Sequence, residues 1–356
     1  MYFSPYKMKT NPKKINPRSE IITMMRGFFS LPIITTLSNL GIIDILLKKK
    51  NVSIKDFKRI KNKEFLTSVF SYLESLGILN SQKKDKNKFF KVTILGDKIL
   101  KRKGSFHLLN SYSPFINNLQ NFLTKTNNRN ISCNRTENVI GSGLTNGRKF
   151  FPKALEFFNK NEFKIIADLG CGNGDYLSKS IKYFNKSIYF ASDVSNEAIK
   201  ETKKNLSSKH YGKKINYCKS DAFDVKKWAT SLNKLSKSKE DKILISMWYI
   251  VHEISKNSKE RIVSFLKNIK KYCPKAEIVI GEIIKVDNQV LSQNKDISIL
   301  PEFLFFHEIS KQGVLTVNDF KYIKKKMPYK LANKYNFDNV IYKNKKIPSA
   351  IIWHLK

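Results

Sequence analysis

The sequence predicts an α/β chain in two parts. An all-α, winged-helix module spans residues 20–104, and an α/β domain with a parallel-dominated sheet spans 161–356. A mostly helical stretch over 105–160 joins them. Three observations carry this reading. Apolar residues recur at helical spacing through the first hundred positions and end in one strand-like run. From Lys164 onward, short β-rich runs alternate with helical segments, the pattern of a parallel sheet covered on both faces. The length of 356 residues, 41% of them hydrophobic, suffices for two cores.

Residues 1–19 are polar and lysine-rich and read as a flexible basic arm. From Glu20 to Leu47, Ile22, Met25, Phe28, Phe29, Ile33, Ile34 and Leu37 follow the helical period, and Gly41 breaks the segment before a short helix over Ile42–Leu47. The most apolar stretch, Gly27–Leu47, is interrupted by Ser30, Pro32, Asn39 and Asp44, so it reads as a buried helix and not as a membrane span. Ser53 is placed to cap a helix over Ile54–Ile60. Leu66, Val69, Phe70, Leu73 and Leu76 share one face of a helix ending at Gly77, and Phe89–Thr93, closed by Gly96, reads as a strand of a wing. A loop is expected over 126–148. Seven β-rich runs follow, at 164–169, 188–192, 215–218, 242–247, 277–283, 338–341 and 349–353. In such a sheet the ligand sits beyond the C-terminal ends of the strands.

Basic residues number 67 against 29 acids, a net charge of +38, which invites a nucleic-acid partner. Only eight of the 67 are arginine, the residue whose planar fork grips phosphate and guanine edges. Lysine is instead spread along the chain, as on solvated faces. The exposed positions of the helix that would read DNA are Thr67, Ser68, Ser71, Glu74 and Ser75, and Glu74 would meet phosphate. A structural or dimer-forming module therefore outranks a DNA reader. The four cysteines are scattered without a CxxC pair, which points neither to a disulfide framework nor to a thiolate zinc site. The N-terminus lacks a signal-peptide apolar core, and a soluble, cytoplasmic protein is expected.

The run Lys164-Ile-Ile-Ala-Asp168-Leu169 breaks into Gly170-Cys171-Gly172-Asn173-Gly174, and a helix starts near Asp175. Alternating glycines let the backbone turn sharply and approach a ligand. The third glycine comes two positions after the second, which departs from the nicotinamide fingerprint, and no Gly-Lys-Ser/Thr follows for a Walker loop. Asp168–Gly174 resembles motif I of the class I S-adenosylmethionine-dependent methyltransferases, enzymes with a Rossmann-like seven-stranded domain. Asp193 at the end of the second strand, Ser220-Asp221-Ala222 after the third and Ile243–Met247 as the fourth follow in the family's order. The resemblance implies that Asp168, Gly170, Gly172 and Gly174 form the cofactor loop and that Asp193 binds both ribose hydroxyls. It gives Asp221, beside Ala222, the adenine amino group, and the strand around Ser246 a backbone carbonyl for the methionyl amine. Asn138–Gly143 upstream is either a segment that closes over the cofactor or a linker turn.

For the substrate, no Pro-Pro-aromatic motif of adenine methylation follows the fourth strand, and Cys218 and Cys273 are misplaced for cytosine chemistry. The run Met247–Ile254 resembles small-molecule O-methyltransferases, which carry a winged-helix dimerisation domain and a His-Asp-Trp segment. His252 matches their general base, and Glu253-Ile254 departs from the pair that follows it. Pro301–Gln312 resembles the 2-ketoarginine methyltransferases and polyketide C-methyltransferase domains more closely. That likeness implies a divalent metal, Fe2+ or Mn2+, on His252, His307 and Gln312, acidifying a C–H beside a carbonyl. A histidine in an aromatic run is otherwise a hydrogen-bonded core residue. Glu282, at the end of the fifth strand, is a second candidate base, equally explicable as a strand-end acid. The expectation is metal-assisted C-methylation of a small 2-oxo acid, with metal-free O-methylation through His252 as the alternative. A DNA-binding regulator that senses S-adenosylmethionine is a third reading. The expected partners are a small-molecule substrate and a second copy of the N-terminal domain, not nucleic acid or membrane.

Overall fold

In the computed structural model, which describes residues 16–84, 87–124, 132–160, 162–207, 215–238, 240–256, 258–294, 298–337 and 340–356, Asn16 opens the first helix. Its side chain accepts the Arg18 N–H, and Pro17 occupies the first turn, where its missing donor costs nothing. The chain divides into two units, Met1–Phe106 and His107–Lys356.

In the first unit, α1 (Pro17–Asn39) and α2 (Ile42–Lys48) are separated by Gly41 at φ 71°. They are followed by β1 (Val52–Ser53), α3 (Lys63–Ser75), the antiparallel pair β2 (Leu79–Lys84) and β3 (Asn87–Val92), and α4 (Ile94–Leu100). The strands form a small sheet in the order β1-β3-β2. The core gathers Ile34, Leu37, Ile43, Leu46, Phe70, Leu73 and Phe90, with Phe70 edge-on to both Phe57 and Phe90. Three expectations change here. Ser53 caps a 3-10 turn that ends at Asp56, not a helix to Ile60. Gly96 lies in the first turn of α4, where a Cβ would fall 2.0 Å from the Ile78 carbonyl oxygen, so it serves packing and does not close a strand. The break at Gly41 falls where expected, but the stretch read as buried is only partly so: α1 turns Ile21, Met24, Met25, Phe28 and Phe29 outward, Phe28 at 77% exposure. By length and composition α1 is apolar enough to cross a membrane.

Helix α5 (Lys103–Asn110) crosses the boundary between units, and α6 (Ser113–Ile116), α7 (Leu119–Thr124) and α8 (Arg135–Leu155) follow. The expected loop over 126–148 is helix from Arg135 on, while 126–131 lie outside the described residues. Gly141, Gly143 and Gly147 lower helix propensity, but Asn134 caps the helix through the Glu137 N–H and packing holds the rest. Then come β4 (Ile165–Leu169), α9 (Asp175–Tyr183), β5 (Ile188–Asp193), α10 (Asn196–Ser207), β6 (Ile215–Lys219), α11 (Val225–Asn233) and β7 (Ile243–Trp248). They are followed by α12 (Val251–Ser255), α13 (Lys259–Tyr272), β8 (Ala276–Ile283), α14 (Asn288–Ser292), α15 (Leu300–Ile309) and α16 (Val317–Lys326). Four strands end the chain: β9 (Leu331–Phe337), β10 (Val340–Tyr342), β11 (Lys345–Ile347) and β12 (Ala350–Leu355).

The seven-stranded sheet has the order β6-β5-β4-β7-β8-β12-β9, parallel except for β12, which runs antiparallel to both neighbours. Alternation along β4 divides the core. Ile165, Ala167 and Leu169 face one layer with Trp228, Ile262 and Leu266; Ile166 faces the other with Tyr176, Leu177 and Phe184. The seventh strand is β9, not the run at 338–341, whose described part pairs with β11 as a separate hairpin. β9 reads Leu-Ala-Asn-Lys-Tyr-Asn-Phe, a polar edge strand without the apolar run that marks central ones. The chain runs outward from β4 through β5 to β6 and then returns to place β7 on the other side of β4. That reversal opens a crevice at the C-terminal ends of β4 and β7.

Candidate active site

The turn after β4 needs its glycines. Gly170, Gly172 and Gly174 have φ of 70°, 55° and 79°. A Cβ on Gly170 would come 2.8 Å from Ile250, and one on Gly174 2.9 Å from Thr202. Thr202 Oγ1 donates to the Gly172 carbonyl at 2.7 Å, and Asn205 donates to that of Asn173 at 3.0 Å, so α10 holds the loop in place. The Asp193 carboxylate accepts the Gly172 N–H at 3.0 Å and the Ser195 N–H at 2.9 Å. Asp221 accepts the Phe223 N–H at 2.9 Å.

Asp168 is 1% exposed. Burial pushes its carboxyl up to about 7; the Ser246 hydroxyl, donating at 2.7 Å, works against this, and the nearby Asp193 charge adds to it. A cationic group beside Asp168 would restore its charge.

These residues border an open cleft. Asp168, Gly170, Gly172, Asp193, Asp221 and Ala222 line it, whereas Ser246 lies behind Asp168 and Gly174 behind the loop, starting α9. The wall opposite is α8, through Arg135, Asn138, Val139, Ser142, Gly143 and Asn146. The two readings of Asn138–Gly143 are thereby separated: it is part of the cleft wall and not a linker turn. Gly143 permits the approach, because a Cβ there would fall 2.3 Å from the Asp175 carboxylate. Tyr176, Trp248, Tyr249 and Glu253 also line the cleft and were missed in the sequence, where no local pattern marks them. Asp168, Asp175, Asp193, Asp221 and Glu253 give the lining five carboxylates against one guanidinium, that of Arg135. Arg135 itself lies 3.8 Å from Glu253.

β7 is followed by Tyr249, held at φ 56° with its N–H on the Gly281 carbonyl, a strained turn for a residue with a Cβ. Beyond it lies a buried cluster that adjoins the cleft through Ile250 and Glu253 but does not line it. His252 Nδ1 is 3.0 Å from Glu282 Oε1, and the His252 N–H donates to the other carboxylate oxygen at 3.2 Å. Burial opposes the imidazolium, but the Glu282 charge and hydrogen bond outweigh it and raise the His252 pKa above the usual value. The His307 ring stands perpendicular to that of His252, with centroids 4.6 Å apart, and its Nδ1 donates to the Phe303 carbonyl at 2.6 Å. Burial, and after it the neighbouring His252, lowers the His307 pKa to about 3, so this ring is neutral.

Of the expected metal set, the structure brings the rings of His252 and His307 together. Gln312 meets His307 through the main chain, its N–H on the His307 carbonyl at 2.8 Å after the bend at Lys311, φ 57°. Among the described residues no group of three His, Cys, Asp or Glu side chains is placed to hold a metal ion. His307 is buried, with one ring nitrogen hydrogen-bonded to the main chain. All four cysteines are free.

A seven-stranded sheet with one antiparallel strand near its edge, a glycine turn after its first strand and a helical N-terminal region together define the mixed α/β fold of methyltransferases. No family model matches the sequence, and no curated protein matches it. Solved structures do. LaPhzM superposes with a TM-score of 0.62 at 14% identity over 96% of this chain and 99% of its own. Human N-acetylserotonin methyltransferase, in complex with S-adenosylmethionine, gives 0.59 at 13% identity over 97% and 99%. An O-methyltransferase family protein from Burkholderia thailandensis gives 0.58 at 11% identity over 96% and 98%. At these identities the likeness is one of fold.

Proposed function

We propose that the chain is an S-adenosylmethionine-dependent methyltransferase acting on a hydroxyl of a small molecule. One observation carries the reading. Asp168, Asp193 and Asp221 stand at or just beyond the C-terminal ends of three successive strands around a positive-φ glycine loop, at the point where the strand order reverses. The residues fit the cofactor: Asp193 offers paired acceptors for a diol, Asp221 an acceptor for an amino group, and Asp168 a buried carboxyl that a cation would ionise. When bound, S-adenosylmethionine would supply a methyl group already activated on a sulfonium. The protein's share is then to bind, to orient and to take a proton.

His252 is the residue for the proton. Glu282 on Nδ1 fixes the tautomer that leaves Nε2 as acceptor and stabilises the charge formed when a hydroxyl loses its proton. Glu253, which lines the cleft, is the competing base. The fold of the solved O-methyltransferases supports oxygen as the acceptor. Carbon methylation of a 2-oxo acid fits less well, since the cleft's guanidinium faces Glu253 instead of awaiting a carboxylate. The helices and hairpin of the first unit support a winged-helix module, and the apolar face of α1 supports a second copy of the chain as its cover.

The test is calorimetric titration with S-adenosylmethionine. Wild type is expected to bind, with Asp193→Ala weakened at least about tenfold, as for lost hydrogen bonds to a charged acceptor. Elemental analysis of wild type and His307→Ala separates the chemistries: near-stoichiometric iron or manganese lost in the variant would move the reading to carbon methylation.

A further inference from the structure

We infer that His307 accepts a hydrogen bond from a second donor on the substrate, carried by the atom next to the hydroxyl that is methylated. This rests on the hydroxyl acceptor proposed above and narrows it to molecules with two adjacent donors, such as neighbouring hydroxyls on a flat ring. His252 of α12 lies between two cleft-lining residues, Ile250 and Glu253. A second imidazole, that of His307, stands against it with the ring planes at 88° and the centroids 4.6 Å apart.

The two rings are held in the same sense. A carboxylate or carbonyl oxygen can only accept, so Glu282 on His252 and the Phe303 carbonyl on His307 place a proton on each Nδ1. In each neutral ring Nε2 is then a bare acceptor, and burial keeps His307 neutral. Among the described residues neither Nε2 has a hydrogen-bond partner, and neither is sealed from solvent. Two bare acceptors so close call for two donors, and one hydroxyl supplies only one. The hydroxyl on His252 gives its proton to Nε2 while its oxygen takes the methyl group, whose bond to sulfur breaks with the electron pair left on sulfur. His307 takes no proton; it accepts from a second O–H or N–H that survives the reaction. A ketone, ether or carboxylate oxygen in that place would set lone pair against lone pair. The surrounding rings suit a flat molecule. Half-buried Phe303 leans on His307 at 3.8 Å and stands edge-on to His252 at 6.1 Å, and Phe306 stands edge-on to His307 at 5.2 Å.

The experiment offers three probe acceptors, catechol, guaiacol and phenol, to the full-length protein with labelled S-adenosylmethionine. Guaiacol keeps the second oxygen of catechol without its proton, and phenol lacks both. Wild type is expected to favour catechol over either by about tenfold or more in kcat/KM, as for a buried acceptor otherwise left unpaired. In His307→Ala that ratio is expected to fall close to one, with the loss falling on KM for catechol. His307→Gln, which keeps an acceptor oxygen, should recover part of it. A wild-type ratio near one overturns the assignment. So does a His307→Ala variant slowed alike toward all three probes, since the ring would then only support His252. Near-stoichiometric metal between the two rings overturns it too, by occupying both nitrogens. A wild type that binds S-adenosylmethionine and methylates none of the probes overturns this assignment and leaves the cofactor reading standing; one that does not bind it ends both. Circular dichroism of each variant separates loss of fold from loss of recognition.

Discussion

At the scale of single residues, Asp168 makes the sharpest prediction. Its folded-state pKa, about 7, lies above the unfolded carboxylate value. A raised acid contributes stability that is complete below about pH 4 and is lost as pH rises toward 7. Ligand-free Asp168→Asn is therefore expected to melt higher than wild type above pH 7, by on the order of 1 kcal/mol or more, with the gap closing near pH 4. The same substitution is expected to weaken S-adenosylmethionine. Thermal melts across pH with and without ligand check both signs, and a variant less stable at pH 8 would refute the first. For His252 the sign is reversed in effect. Glu282 raises its pKa, so Glu282→Gln should move the acidic limb of a rate–pH profile to lower pH and lower the plateau. An unmoved limb would shift the base role to Glu253. Asp168, the glycines, Asp193 and Asp221 were legible in the sequence because each stands at the end of its strand or a short distance beyond it. Trp248, Tyr176 and Glu253 were not, because what makes them notable is a place on the cleft wall, which has no spacing.

At the scale of elements, α8 is the informative case. Its glycines argued for a loop, and the helix forms because close packing on the α9 turn outweighs propensity worth under about 1 kcal/mol per glycine. Gly143→Ala tests this. The added methyl would sit 2.3 Å from the Asp175 carboxylate, so that carboxylate and the Asn173 amide must swing aside or the helix must move away, although alanine is the better helix former. Cofactor affinity is expected to fall about tenfold or more with helix content unchanged, measured by titration and circular dichroism. Unaltered affinity would show that α8 yields without cost to the cleft. The edge strand β9 escaped the sequence for a related reason. Its polar residues serve a half-solvated face, whereas the buried strands β4 and β7 announce themselves with continuous apolar runs.

At the scale of the whole molecule, the outward apolar face of α1 and the net charge are the two features composition alone leaves ambiguous. If a second copy covers α1, light scattering should give a dimer, and Phe28→Glu with Met24→Glu should give a monomer that still binds cofactor. A monomeric wild type would remove that reading. The excess of lysine remains spread over solvated faces, and Glu74 of α3 is spent on Ser81 and Lys88 of its own hairpin. Retardation of DNA that collapses with added salt is the result that would revive a nucleic-acid role.

The carboxylate majority in the cleft has a kinetic consequence. A cationic ligand diffusing toward a body of charge +38 climbs a repulsive potential until it comes within reach of the acidic mouth, where the sign of the field inverts. The far repulsion acts beyond the screening length of about 8 Å at physiological salt, whereas contacts inside the cleft act within it. Salt should therefore quicken capture of S-adenosylmethionine before it weakens retention, so the association rate rises with ionic strength from the lowest salt upward, opposite to the usual behaviour of a charge-steered enzyme.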